Sequence, residues 1–390
     1  MQIWHRKNYH WYLKRTVRYS ACSQCIAVHW DEERPSRVYC AMADGSFDRH
    51  DLAWERTVST NGDGTVAVID GPRLLLTPLA LVVVPPPMCA TALTLPADET
   101  AELVAFAHQR RGLAVVGSQG GIFVFDAPST TGSPAHREIA LLRGSVPQCL
   151  AWPRPDTLLA AVPSESGGSD LVELSLSRAA VSSRVRSERV VLSMVVAAGE
   201  CGGQTVLQFS DGSFGAHEER VLSPWALGPS VSWALPAVCV VAIAHPGAGS
   251  TAGGHIEVAF RVISLDAEGR LLELRARRGC VEEQTALSLE ATSFALVGTS
   301  HVLWTTWANR LLTRSLGDQL AVDAGGAPDA GRQIERGACI VFGSSDKAKV
   351  VLQVRRFLLV LRYISPPSDV QSPRGISCRV ETWRQYFLGS

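Results

Sequence analysis

The sequence predicts an all-β protein, a β-propeller of degenerate blades, on three observations. Short runs of period-2 alternation dominate it. Turns rich in Gly and Asp separate the runs, and a longer repeat lies over the resulting hairpins.

Val206–Phe209, the turn Ser210–Ser213 and Phe214 form one hairpin; Val262–Leu265, Asp266–Gly269 and Arg270–Leu274 form another. Leu113–Val116 and Ile122–Asp126 flank Gly117-Ser118-Gln119-Gly120-Gly121, and Val66–Ile69 and Arg73–Leu76 flank Asp70-Gly71-Pro72. His301–Leu312 bends at Ala308-Asn309. Asp-Gly and Asn supply the positive φ that tight hairpins demand. Helical periodicity is scarce: residues 179–198 fit a helix best, but their Val-Val pairs favour strand.

An apolar strand ending in Trp or His precedes several hairpins. Ile26–Asp31 leads to Val38–Ala41, Leu103–His108 to Leu113–Val116, Cys149–Trp152 to Leu158–Val162, and Thr292–Val297 to Val302–Trp304. The Leu103 and Cys149 units are spaced by roughly one blade, about 40–45 residues for this repeat class. Each unit reads strand, short loop, strand, tight turn, strand. One unit alone cannot bury both faces, so several must pack radially. The Gly-His and Trp-Asp marks of WD repeats are mostly missing; Trp30-Asp31 alone resembles one. The competing all-β architecture is a pair of sandwiches, which would lack the repeat.

With 390 residues the chain suits two or three domains, or one large all-β unit. An apolar fraction of 46% against 19% charged residues is globular composition. Lys plus Arg and Asp plus Glu both number 37, so no global field draws the chain to nucleic acid or an acidic membrane. Met1–Lys7 lacks the apolar core of a signal peptide. The longest apolar run, Leu74–Val84, is interrupted by Pro78, ended by Pro85-Pro86-Pro87, and too short to span a bilayer. These features point to a soluble intracellular protein, most of whose ten scattered cysteines are reduced, buried and small. Segments 129–134, 164–169, 247–254 and 324–328 read as exposed loops, and Ser365–Ser390 departs from the strand pattern.

No motif points to catalysis, a cofactor or a metal. Cys22-Ser23-Gln24-Cys25 has the spacing of half a zinc site, yet no second pair follows at a fitting distance, and tetrahedral zinc needs four ligands. Gly117–Gly121 lies between strands, where a phosphate loop would need a following helix. A nucleophile elbow and a His-Glu-x-x-His pair are missing. The basic clusters Arg184–Arg189 and Arg275–Arg278 have Glu188, Glu282 and Glu283 nearby, which favours charged strand faces over an RNA contact. Pro85-Pro86-Pro87 reads as a rigid crossing strand rather than an SH3-type ligand.

The run Asn8-Tyr9-His10-Trp11-Tyr12-Leu13-Lys14-Arg15 reads as a strand, with Tyr9, Trp11 and Leu13 on one face and His10, Tyr12 and Lys14 on the other. Packing within or beside a propeller, rather than a nucleic-acid stacking platform, accounts for its aromatics. That run, the stretch Val66–Cys89 with Pro85, Pro86, Pro87 and Met88, and the segments Ile334–Val341 and Lys349–Gln353 resemble the large scaffold subunit of the Elongator complex. The matching order covers most of residues 4–353. The resemblance implies two N-terminal WD-repeat propellers followed by a dimerising helical region. This chain would hold the closing part of the first propeller (1–84), most of a degenerate seven-bladed second propeller (85–360) and an irregular Pro/Ser-rich tail (361–390). It would begin partway through a domain and lack the dimerising region. The implied role is non-catalytic: holding the radical-SAM and acetyltransferase-like catalytic subunit and a propeller subunit, in support of tRNA wobble-uridine modification. The implied location is the cytoplasm, with the nucleus as a further compartment. A propeller adaptor that binds peptides and has no link to tRNA is the alternative.

Overall fold

The computed structural model describes residues 1–7, 10–19, 24–33, 37–51, 65–78, 88–96, 98–107, 112–126, 136–141, 146–199, 203–218, 221–229, 231, 237–246, 258–266, 268–297, 299–308, 310–316, 322–325, 334–342, 349–354, 357–362 and 384–387. Among them every regular element is a strand, and no helix is long and apolar enough to cross a membrane.

β1 (Gln2–Lys7) and β2 (His10–Thr16) form a hairpin. β3 (Cys25–Trp30), β4 (Arg37–Met42) and β5 (Phe47–Asp51) form a three-stranded sheet, as do β6 (Thr65–Asp70), β7 (Arg73–Pro78) and β8 (Thr91–Thr94). Four-stranded antiparallel meanders follow. The first is β9 (Ala101–Phe106), β10 (Gly112–Gly117), β11 (Gly121–Asp126) and β12 (His136–Leu141). The second is β13 (Cys149–Arg154), β14 (Thr157–Pro163), β15 (Ser169–Ser175) and β16 (Ala180–Ser187). The third is β17 (Val191–Val196), β18 (Thr205–Phe209), β19 (Phe214–Glu218) and β20 (Val221–Pro224). The short β21 (Ala226–Leu227) then crosses to pair in parallel with the outer strand of the next sheet, made of β22 (Ala237–Pro246), β23 (Val258–Asp266), β24 (Leu271–Arg277) and β25 (Cys280–Ser288). β26 (Ala291–Val297), β27 (His301–Thr306), β28 (Leu311–Ser315) and β29 (Val322–Gly325) come next, then β30 (Ile334–Phe342), β31 (Lys349–Val354), β32 (Phe357–Arg362) and β33 (Arg384–Phe387).

The first strands of successive sheets face one another: β9 lies against β13, β13 against β17, β17 against β22, and β26 against β30. This is the radial packing of propeller blades, and it explains the alternation. In β14, Leu158, Ala160 and Val162 enter the core shared with β10 and β11, while Leu159 and Ala161 enter the core shared with Val191, Leu207 and Phe209. β10 divides likewise: Ala114 and Val116 go one way, Leu113 and Val115 the other, toward Leu74, Leu76 and Leu93. In β23, Val262 joins Trp225 and Val206, while Ile263 and Leu265 join Phe294 and Trp304. The period-2 pattern therefore marks strands dry on both faces, with each parity serving a different neighbour.

The five expected hairpins form as β18–β19, β23–β24, β10–β11, β6–β7 and β27–β28, although Asn309 and Ala267 lie outside the described residues. Residues 180–187 and 191–196, the best helical candidate, are strands. The expected three-stranded unit carries a fourth, outer strand, which its polar sequence concealed: in β16 (AVSSRVRS) only Ser187 is buried. The region 361–390, expected to be irregular, contains β33, which pairs with β32. Cys40 and Cys149 are buried as expected, while Cys25, Cys89 and Cys280 are half-buried. Of the low-complexity loops, 164–169 is the described tight turn between β14 and β15; 129–134 and 247–254 lie outside the described residues.

Candidate functional site

The aromatic β2 strand forms a joint. Its alternation places His10, Tyr12 and Lys14 on one face, where the His10 and Tyr12 rings meet edge-on at 4.6 Å and Lys14 Nζ lies 4.7 Å from the Tyr12 ring centre. This row grips the β6–β7 turn. His10 Nε2 is 3.1 Å from Asp70 Oδ2, Lys14 Nζ donates to the Ile69 carbonyl at 2.7 Å, and Arg73 donates to the same Asp70 oxygen at 3.0 Å. Burial, opposed by the charge of Asp70, pulls the Lys14 ammonium down to about 8. Burial, with Asp70 adding to it, pushes the Tyr12 phenol up to about 12.

Gly71 makes the close approach possible. It has φ +61°, its N–H donates to the Leu13 carbonyl at 2.8 Å, and a Cβ there would lie 3.3 Å from Leu13 Cδ2. Its carbonyl in turn accepts from Ala101 N at 2.8 Å, so the turn is held between β2 and β9. Further along β2, Thr16 N–H donates to Glu102 Oε1 at 3.0 Å, and Arg15 Nε lies 3.5 Å from Glu102 Oε2. Arg18 donates to the Asp98 carbonyl at 2.6 Å. Burial pushes the Glu102 carboxyl up to about 7, against the pull of the Thr16 amide and Arg15.

Beside this joint is an apolar surface. β3 is an edge strand on which Ile26 (66% exposed), Val28 (51%) and Trp30 (47%) remain open to solvent. A cavity of about 460 Å³ lies between Val28, Trp30 and Val38 on one side and Met1, Gln2 and Ile3 on the other. Trp11 departs from the expectation that the aromatics of β2 are packing residues. It sits opposite Arg6 on the outer face of the hairpin, 56% exposed, with the guanidinium 5.8 Å from its ring centre. Exposed edge and face together make a surface suited to another sheet or chain.

Of the residues singled out in sequence, His10, Tyr12 and Leu13 meet at the joint, and Met88 is exposed. Asn8, Tyr9, Pro85, Pro86 and Pro87 lie outside the described residues, as does Cys22 of the half zinc motif. Among the described residues no cluster of His, Cys, Asp and Glu is placed to hold a metal ion. Part of each basic cluster is paired in place: Arg184 with Asp170 at 3.2 Å, Arg189 with Asp211 at 3.5 Å, and Arg275 with Glu273 at 3.0 Å and Glu283 at 2.9 Å. Sequence reading missed Asp70 as a partner of His10 and missed Glu102 entirely. Asp70 carried only the signal of a turn residue, and Glu102 carried none.

Residues 68–341 match the family described as ELP1 N-terminal second beta-propeller. Curated relatives include Elongator complex protein 1 of Mus musculus, 34% identical over 131 residues, which cover 32% of this chain and 10% of the relative. Elongator complex protein 1 of Saccharomyces cerevisiae is 38% identical over 92 residues, covering 23% of this chain and 6% of the relative. The chain spans about a tenth of the length of the curated relatives it matches. Among solved structures, the WD40 domain from Toxoplasma gondii coronin superposes with a TM-score of 0.52 at 11% identity, over 80% of this chain and 81% of that one. That likeness is one of fold, and it agrees with the propeller expected from the repeat. With the family match running over more than half of its length, the chain belongs to the ELP1 second β-propeller family.

Proposed function

We propose that this chain serves as a non-catalytic scaffold segment of an Elongator subunit. Membership in the second-propeller family carries the reading, and the relatives called Elongator complex protein 1 support it. The scaffold holds the radical-SAM and acetyltransferase-like catalytic subunit and a propeller subunit, so that the assembly modifies the wobble uridine of tRNA, which is reached through the complex. Its site of action is the cytoplasm, with the nucleus as a further compartment. The mechanism is geometric: stacked sheets offer rigid rims and side faces, and a stable complex buries about 800 Å² on each partner.

Within this reading, β1–β5 closes a first propeller, and the open face of β3 packs against the rest of it. The family match from residue 68, and the core that β6–β8 shares with β9–β11, favour a boundary between the propellers ahead of β6 rather than at residue 84. The test is affinity purification of the tagged chain from a lysate of its own cells. Recovery of the catalytic Elongator subunit is the expected result. Recovery of unrelated proteins without that subunit overturns the proposal.

A further inference from the structure

The geometry points to a proton-operated latch at the joint: uptake of one proton by Glu102 tightens the seat of the β1–β2 hairpin on the blades, and loss of that proton loosens it.

The carboxyl is 7% exposed and enclosed between β2 and β9. It accepts the Thr16 N–H at 3.0 Å, while its cationic neighbour Arg15 is 3.5 Å away and 48% exposed, so solvent screens much of that attraction. The charged and titratable groups gathered here are His10, Tyr12, Lys14, Arg15, Arg18 and Tyr19 from β2 and the residues after it, His50 and Asp48 of β5 on the far side of Arg15, Asp70 and Arg73 from the β6–β7 turn, Asp98 and Glu99 ahead of β9, and Glu102 within it. Glu99 adds repulsion to the burial that disfavours the ionised form of Glu102. Two hydroxyls of the same joint, Thr16 Oγ1 and Thr100 Oγ1, are buried without a hydrogen-bond partner, so the site does not satisfy its polar groups in full.

When the hairpin leaves its seat, water reaches the carboxyl and its affinity for a proton returns to the ordinary carboxylate value. The seated carboxyl, pushed up to about 7, binds the proton more tightly. Seating is therefore strongest while the proton is bound and weakens as pH rises through that range. Between about pH 5.5 and 7.5 the loss is of order tenfold in the seating equilibrium. Lys14, pulled down to about 8, stays charged over most of that window and adds little to the change.

Amide hydrogen exchange at Thr16 and Gly71 reads the latch directly, since both N–H groups bond across the joint. After correction for the chemical exchange rate, protection at these two amides in the native chain is expected to fall about tenfold from pH 5.5 to 7.5. Protection at Leu207, buried in a central strand, is expected to stay level. Glu102→Gln, which keeps the shape and removes the charge, is expected to raise protection at pH 7.5 and flatten the profile. A pH-independent native profile overturns the latch without any variant. It is also overturned if Glu102→Gln keeps the dependence, or if His10→Gln abolishes it, since the His10–Asp70 pair would then be the sensor.

Discussion

Gly117 offers a sharp test of how the first four-stranded sheet is held at its rim. It ends β10, and a Cβ there would collide with Glu99 Oε2, lying 2.8 Å from Glu99 Cδ and 3.0 Å from Phe123 Cε2. Glu99 is 8% exposed and accepts the Ser118 hydroxyl at 3.2 Å and the Gln119 N–H at 3.1 Å. Gly117→Ala must expel that carboxyl from the turn. Hydrogen bonds to a charged group contribute about 1.5–3 kcal/mol each, and partial rehydration of the displaced carboxyl returns some of this. Alanine also restricts the unfolded chain, which offsets about 0.4–1 kcal/mol. The net expectation is a loss of about 2–3 kcal/mol. Urea unfolding followed by tryptophan fluorescence measures it. In a Glu99→Ala background the carboxyl is gone while the Phe123 ring edge at 3.0 Å stays and must give by a few tenths of an ångström, so the same glycine change should cost about 1 kcal/mol, leaving a coupling of about 1–2 kcal/mol. Equal losses in the two backgrounds would refute the argument, because the glycine would then be required for a reason other than Glu99.

Ala179, exposed at φ +51°, occupies the left-handed region, so Ala179→Gly should raise stability by up to about 1 kcal/mol in the same urea assay. Leu159, 1% exposed between two sheets, should cost about 2–5 kcal/mol on change to Ala, whereas Leu289→Ala, 67% exposed, should fall within about 0.5 kcal/mol of the native chain. Because Asp70 holds the Lys14 ammonium up against burial, Asp70→Asn should lower its titration further below about 8; NMR titration of the Lys14 side chain reads the shift, and an upward move would contradict the assignment.

The hairpins were legible because each strand announces itself twice, by alternation and by the Gly or Asp at its turn. Asp211-Gly212 and Asp70-Gly71 sit where the sequence placed them, with both glycines at positive φ. The outer strands were not, because they largely face solvent: β16 sets Val181 and Val185 among Ser and Arg, too sparse an apolar stripe to mark a strand. The faces of β2 followed from period 2, yet the partner of His10 is 60 residues away in sequence. No local pattern encodes such a distance, and Asp70 meets the needs of a turn whether or not a histidine approaches it. Trp11 shows the opposite limit. Hydrophobicity argued for burial, but Trp11 lies on the outer face of a hairpin that is two-stranded among the described residues, with Arg6 over its ring.

The parity rule within β10, β14 and β23 bears on how the chain emerges during synthesis. As each sheet is completed, the side chains of one parity close against the sheet made before it, while those of the other parity wait in water for the sheet still to come. The growing polypeptide thus advances with a single wet apolar front, renewed at every meander. A pause at the stage when β13–β16 has emerged from the ribosome and β17 has not would leave Leu159, Ala161 and Leu171 uncovered, since the residues of the next sheet that close over them begin at Val191. Synonymous changes of codon speed in that interval would alter aggregation without altering a single native contact.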